Sequence, residues 1–389
     1  MTPNPETAPA PRTTPGTASG TTPGPAAAPP DPLDLLCSET EEELRAAVRS
    51  LLTDRADLPA LLTRAEAGDP VDPALWAALA RDIGAAGLLV PEEYGGQGAS
   101  HREAAVVLEE LGRAMAPAPF LTSSVIATET LLALGPDRPG VPGLLAELAT
   151  GRRTAVLAVP YAASPHEPPP AGDGPVTGVA DAHGADVLLT LRADGLRAVD
   201  RADATVTPLT VLDLTRPLAV VAAPEGAGTL IADRATAVGA VRRALLTGAG
   251  LLASEQLGVA EWCLEETVRH TRRRHQFNRP VGSFQALKHR MARLWLGVVS
   301  ARATARNAAA ALATGAPDAP LAVAVAQAHT ATVAVRAAEE CVQLHAGIGM
   351  TWEHPAHLYL KRAKSTELAL GSPGAHRLAV AELAELPAP

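Results

Sequence analysis

A chain of 389 residues, 47% of them hydrophobic, is long enough for two or three packed domains and can bury large cores without disulfide help. Its formal net charge of −9 argues against a general nucleic-acid binder, because neutralising phosphates needs a basic face. The three cysteines, Cys37, Cys263 and Cys341, are far apart and form no CxxC pair, which argues against a disulfide framework or a zinc site and fits a reducing cytoplasm.

Residues 1–33 are almost only Pro, Thr, Ala and Gly, a composition that cannot bury enough apolar area to offset its ordering entropy, so a disordered tail is expected. The opening MTPNPETAP carries Glu6 and no apolar core, unlike a secretory signal. From Glu39 the pattern turns helical. ETEEELRAAVRSLLTDRA has acids in its first turn and Leu44, Val48, Leu51 and Leu52 at helical spacing. PALWAALARDIGAAGLLV reads as a second helix and SHREAAVVLEELGRAM as another, with the glycines and proline of PEEYGGQGA forming a tight loop between them. The helical N-terminal domain is placed at 34–151.

A β-domain follows at 152–233, where short β-branched runs such as TAVLAV, DVLLTL, ATVTPLTVL and LAVVAA are interrupted by Pro and Gly clusters. The helical period returns at about Ala235 and continues through a C-terminal domain, 234–389, with breaks at 315–320 and 347–349. The most apolar stretch, ALLTGAGLLASEQLGVAEW, carries Glu255 and Glu261 and suits a buried helix rather than a membrane span.

Two stretches of the C-terminal part carry the chemistry: RRRHQFNRPVGSFQALKHRMARLW (272–295) and QLHAGIGMTWEHPAHLYLKRAKS (343–365). Arginine forks suit a pyrophosphate because they offer parallel donors and stay charged when partly buried. Together the two stretches resemble the C-terminal helical domain of the acyl-CoA dehydrogenases, and helix, LLVPEEYGGQG, helix resembles that family's N-terminal domain. The family motif R-x-x-F-G-x-P reads RHQFNRP here, with Asn278 for the usual Gly; Asn also tolerates left-handed backbone. Phe284-Gln285 keep the family's spacing. The Q-x-x-G-G-x-G turn reads QLHAGIG, with Ala346 where a glycine is usual.

The resemblance covers residues 35–385. It implies an α+β fold with an N-terminal helical domain, a middle β-domain and a C-terminal four-helix bundle. It also implies FAD held between subunits, with Arg274, Gln276, Phe277, Gln285, Gln343 and Gly347 as its cofactor-binding residues. The implied reaction is FAD-dependent α,β-dehydrogenation of an acyl thioester, on CoA or an acyl-carrier protein, in a homo- or hetero-oligomer (dimer or tetramer), with an electron-acceptor flavoprotein as a further partner. In that reaction a carboxylate takes the Cα proton while flavin takes the Cβ hydride.

The chain departs from the family at two points. Its commonest base position falls at Leu370 and the alternative at Gly248, and neither residue can take a proton. Glu255, two helical turns beyond Gly248 in apolar sequence, is the remaining candidate base; such surroundings should raise its pKa. It reads equally as a buried glutamate paired with a nearby arginine. Glu353 and Glu367 are further candidates, each as readily a partner of Lys361, Arg362 or Lys364. The flavin-contacting T-E-P-x-x-G-S-D segment has no match in AVPYAASPHEPPPAGDG. A partner subunit that leaves proton chemistry to a sister chain, or a flavoenzyme of this fold with a different biosynthetic reaction, are the alternatives. His345, His354 and His357 are spaced 9 and 3 apart with no supporting ligand pattern, so no metal is expected, and Trp352 and Tyr359 read as core.

Overall fold

The computed structural model describes Met1 and residues 35–135, 137–169 and 172–386. Apart from Met1, the expected disordered tail lies outside the described residues. The N-terminal helices are α1 (Glu39–Arg55), α2 (Leu58–Glu66), α3 (Pro73–Ala77), α4 (His101–Ala114), α5 (Thr128–Leu134) and α6 (Val141–Ala149). Capping boxes start α1 and α4. Ser38 Oγ accepts from the Glu41 N–H while the Glu41 carboxylate accepts from the Ser38 N–H, and Ser100 with Glu103 repeats the arrangement. The expected single helix over 73–90 is broken. After α3 the chain runs through a wide turn at Ala78–Asp82, and Gly84 then adopts φ +77°, which no α-helix continues.

The strands of the middle region, among the described residues, form two sheets. One has the order β1 (Ala155–Leu157), β3 (Val187–Leu191), β4 (Gly195–Asp200), β7 (Thr229–Asp233); the other has the order β2 (Val176–Ala180), β6 (Leu218–Ala222), β5 (Thr205–Pro208). Among the described residues only the β1–β3 pair is parallel, with Ala155 opposite Val187. The period of two sorts the side chains. Ala155, Leu157, Leu189 and Leu191 join the main core, whereas Val156, Leu188, Val179 and Val221 fill a second core between the sheets.

The C-terminal part is built on α7 (Arg234–Arg273), whose 40 residues span about 60 Å. It is followed by the two-strand hairpin β8 (His275–Gln276) and β9 (Arg279–Pro280), then by α8 (Gln285–Thr314), α9 (Ala319–His345), α10 (Ala356–Leu368) and α11 (Pro373–Leu383). Helix α7 packs on α4, α8 and α9. Its crossing with α4 is close enough to require glycine twice. A Cβ at Gly112 would lie 2.2 Å from the Glu255 carbonyl oxygen, and one at Gly258 would lie 1.9 Å from that of Glu109. This crossing fixes where Glu255 sits. Contrary to the expectation of no spanning candidate, Ala319–Met350 is long and apolar enough to cross a membrane, but 61% of its apolar window is buried, as in a bundle core.

Candidate functional site

Glu255 is 1% exposed and lies inside a salt-bridge network. Its Oε2 accepts from Arg216 Nη2 at 2.9 Å and its Oε1 from Arg362 Nη1 at 2.8 Å. Arg362 also donates to Asp213 at 2.5 Å and to the Thr215 hydroxyl and carbonyl, and Arg216 donates to the Tyr161 hydroxyl at 2.6 Å. Two carboxylates thus face two guanidiniums, with their remaining valences satisfied by neutral groups. Burial pushes the Glu255 carboxyl up, but the Arg216 and Arg362 charges outweigh it and hold its pKa below the usual carboxylate range. The expected raised pKa is therefore corrected, and with it the picture of a poised base. The apolar sequence around Glu255 hid two cations that arrive from the β-domain and from α10. A carboxylate with both oxygens taken by guanidinium donors is weakly basic and already oriented.

The two family base positions touch each other. A Cβ at Gly248 would come within 2.7 and 2.9 Å of Ile126 side-chain carbons and 3.3 Å of Leu370 Cδ1. Leu370 is fully buried, sits at φ +52°, and donates its N–H to the Tyr161 carbonyl at 2.8 Å. Between Ile126, Tyr161, Leu245 and Leu370 the free space is about 20 Å³, room for about one water. Of the other carboxylates, Glu367 lies 4.0 Å from Lys364, and Glu353 is exposed on the turn before α10.

The expected cofactor residues lie elsewhere, on an open surface. Arg274 caps α7 and leads into the β8–β9 hairpin, whose two loop residues, Phe277 (φ +53°) and Asn278 (φ +58°), are both left-handed, as a type I′ turn requires. Asn278 fits this backbone. Phe277 does not fit it at low cost, and its ring, 86% exposed, is presented outward. Gln276, Gln285, Gln343 and Gly347 are all exposed. The rings of His270, one turn before Arg274, and His345, two residues after Gln343, pack 4.2 Å apart, which brings the two motifs side by side. Among the described residues no ion pair engages the Arg274 side chain, and a Cβ on Gly347 would meet nothing within 4 Å. A free fork of donors, three amides and open backbone fit the pyrophosphate and adenosine of FAD.

Ala346, where the family has glycine, adopts φ +54°, ψ −132°, a backbone glycine alone visits freely, so the substitution carries strain. Tyr359 is core, stacked on Trp262, but Trp352 is 56% exposed, with Lys361 Nζ 4.2 Å over its ring. Arg216, Asp213 and Tyr161 were not anticipated from sequence; the one signal was an arginine directly after Thr215 and three residues after Asp213, in DLTRP, bounded by β-branched runs.

Models of the acyl-CoA dehydrogenase N-terminal and C-terminal domains match residues 38–138 and 238–384. Acyl-CoA dehydrogenase IpdE2 of Mycolicibacterium smegmatis is 37% identical over 336 residues, covering 86% of this chain and 96% of that protein. The chain belongs to the acyl-CoA dehydrogenase family, a family of oxidoreductases. Its fold is similar to the ChsE4-ChsE5 complex from Mycobacterium tuberculosis (TM-score 0.79, 28% identity, 92% of this chain and all of that one). It is also similar to the Tcur3481-Tcur3483 steroid ACAD G363A variant (TM-score 0.77, 26% identity, 89% and 98%). The mixed α+β architecture with flanking helical domains is that of the family.

Proposed function

We propose that this acyl-CoA dehydrogenase-family chain serves FAD-dependent α,β-dehydrogenation of an acyl thioester as the flavin-contributing member of a hetero-oligomer, with the proton-accepting carboxylate on a sister chain. The observation that carries this reading is the contrast between two regions. The cofactor residues lie open, and among the described residues no ion pair engages Arg274, whereas both base positions are closed by the Gly248, Ile126 and Leu370 contact and Glu255 is held by two arginines. Two structural neighbours are themselves named as pairs of chains, which supports an unlike partner.

In this reading Arg274 binds the pyrophosphate as a fixed cation, Gln276, Gln285 and Gln343 supply amide donors and acceptors, and Gly347 lets backbone approach the adenosine end. Bound FAD supplies the hydride acceptor. Phe277, held outward by the strained hairpin, shields one face of the site from water. Tyr161 and Leu370, joined through backbone, close this chain's own acyl cavity, so substrate binds on the sister side. The acyl group is sought among straight-chain and ring-bearing acyl-CoAs, the latter because one neighbour is named a steroid ACAD.

The test is flavin absorbance with light scattering, on the chain alone and co-purified with a carboxylate-bearing sister chain. The expected result is bleaching by acyl-CoA only in the mixed oligomer. Bleaching by the isolated chain would refute the division of labour, and a mixed oligomer without flavin would refute the cofactor assignment.

A further inference from the structure

Beneath the proposed cofactor face, at the junction of α7, α9 and the turn before α10, lies a cluster that plays no part in the reading above. Glu266, His345 and His354 each offer one ligand atom, and the three atoms lie within 4.8 Å of one another. Glu266 Oε1 is 3.6 Å from His345 Nε2 and 3.8 Å from His354 Nε2. Ligands on a tetrahedral zinc with bonds of 2.0–2.1 Å are about 3.3 Å apart, so these two edges are within about half an ångström of a bound geometry. The imidazoles of His270, His345 and His354 follow one another at 4.2 Å spacing, so a third ring borders the same point.

His345 supplies the independent observation. Its side chain is fully buried, its Nδ1 bonds to the Cys341 carbonyl at 2.7 Å, and its Nε2 is without a hydrogen-bond partner among the described residues. An N–H donated to a carbonyl makes Nδ1 the protonated nitrogen and leaves Nε2, 3.6 Å from Glu266 Oε1, outside hydrogen-bond distance of any partner among the described residues. A buried polar atom left in this way costs free energy unless something meets it. This is also how metal-bound histidines are held: the far nitrogen donates to a backbone carbonyl and the near one faces the ion. On the carboxylate side, Arg269 pairs with Glu266 Oε2 and leaves Oε1 to face the imidazoles. His354 Nδ1 accepts from the Ala356 N–H at 3.2 Å, a first-turn donor of α10 that needs no intrahelical partner. With Nδ1 accepting, the proton of the neutral ring sits on Nε2, so ligation through Nε2 moves that proton to Nδ1 and gives up this bond.

We propose that Glu266, His345 and His354 form a binding site for a borderline first-row divalent cation, Zn²⁺ foremost, with a fourth position open to water. Two imidazoles and one carboxylate match that class, whereas Mg²⁺ and Ca²⁺ take oxygen ligands. The site ties the end of α7 to the Ala346–Met350 turn and to the segment before α10, the same segments that present Arg274 and Gly347. The spacing of the histidines in sequence argued against a metal because the carboxylate comes from another helix, 79 residues before His345.

The experiment uses the full chain, free of any polyhistidine tag and stripped with chelator, titrated with Co²⁺ and read by its visible d–d bands. The expected result is one Co²⁺ per chain in a low-symmetry four- or five-coordinate spectrum, displaced by Zn²⁺. His354→Gln and Glu266→Gln should each weaken binding by roughly 100-fold, and His357→Gln, three residues on, should leave it unchanged. Thermal melts of the stripped variants establish that each is folded, and X-ray absorption of the Zn²⁺-loaded wild type reads two imidazoles directly. No bands in the wild type would mean the point holds only water. Unchanged affinity in His354→Gln, or equal loss in His357→Gln, would place the metal elsewhere; any of these results overturns the proposal.

Discussion

Glu255→Gln separates an anchoring carboxylate from a catalytic one. Glutamine keeps the shape but brings an amide N–H₂ against one of two guanidiniums, and it removes the charge that Arg216 shares with no other carboxylate at hydrogen-bond distance among the described residues. Breaking one side of a buried ion pair costs about 3–5 kcal/mol, most of it the charge left uncompensated. For about 350 ordered residues the unfolding entropy is roughly 0.7 kcal/mol/K, so the midpoint should fall by about 4–7 °C. The assay is calorimetry of wild type and variant at pH 7, followed by the same pair at lower pH. The folded pKa of Glu255 lies below its ordinary value of 4.5, so its stabilisation is full above that value and is lost as pH falls through the folded pKa. The gap between the two proteins should therefore close in acid. A catalytic base predicts the reverse pattern: an unchanged midpoint with flavin reduction slowed by roughly 100-fold. A midpoint within 1 °C of wild type, with no acid dependence of the difference, would refute the anchoring argument.

Ala346→Gly should stabilise the chain by about 1 kcal/mol, because relief of strain at φ +54°, ψ −132° exceeds the added unfolded-state entropy; a urea midpoint that does not rise would count against the strain. Gly248→Ala should destabilise by about 1–3 kcal/mol, since its Cβ meets Ile126 and Leu370 at under van der Waals distance; an unchanged midpoint would mean the sealed region is loose enough to admit substrate. Arg274→Ala should weaken flavin retention by about 2–3 kcal/mol, read as flavin content after gel filtration of the mixed oligomer, and full retention would remove Arg274 from the site.

What could be read from the sequence was what local pattern determines. The first-turn acids and helical spacing of ETEEELRAAVRSLLTDRA foretold α1, and the β-branched runs TAVLAV, DVLLTL and LAVVAA became β1, β3 and β6. Strands β2, β4 and β7 carry Gly178, Arg197 or exposed Thr229 and Leu230, which blur the alternation that a periodicity argument needs. The left-handed turn at Asn278 was legible because Asn tolerates that backbone, but the same conformation at Phe277, and the hairpin it closes, were not, since nothing local favours an aromatic there. Ala346 looked conservative by volume; its cost lies in φ and ψ, which volume does not report.

Glu255 shows the deeper limit. Counting turns from Gly248 placed it inside the bundle, and the apolar neighbours on α7 made desolvation the only visible influence on its proton. Its partners, Arg216 and Arg362, are 39 and 107 residues away. A buried charge is set by whatever the tertiary fold brings within about 3 Å, and at that distance two guanidiniums outweigh the desolvation that the local sequence reports. The same reasoning applies in reverse to Glu266, whose helix surroundings suggest a surface ion pair with Arg269, while the far end of α9 delivers a buried imidazole nitrogen to its other oxygen. In both places the sequence states which groups are present, and the crossing of α7 with β-domain, α9 and α10 decides whether a carboxylate is neutralised or left with an acceptor site that a cation can fill.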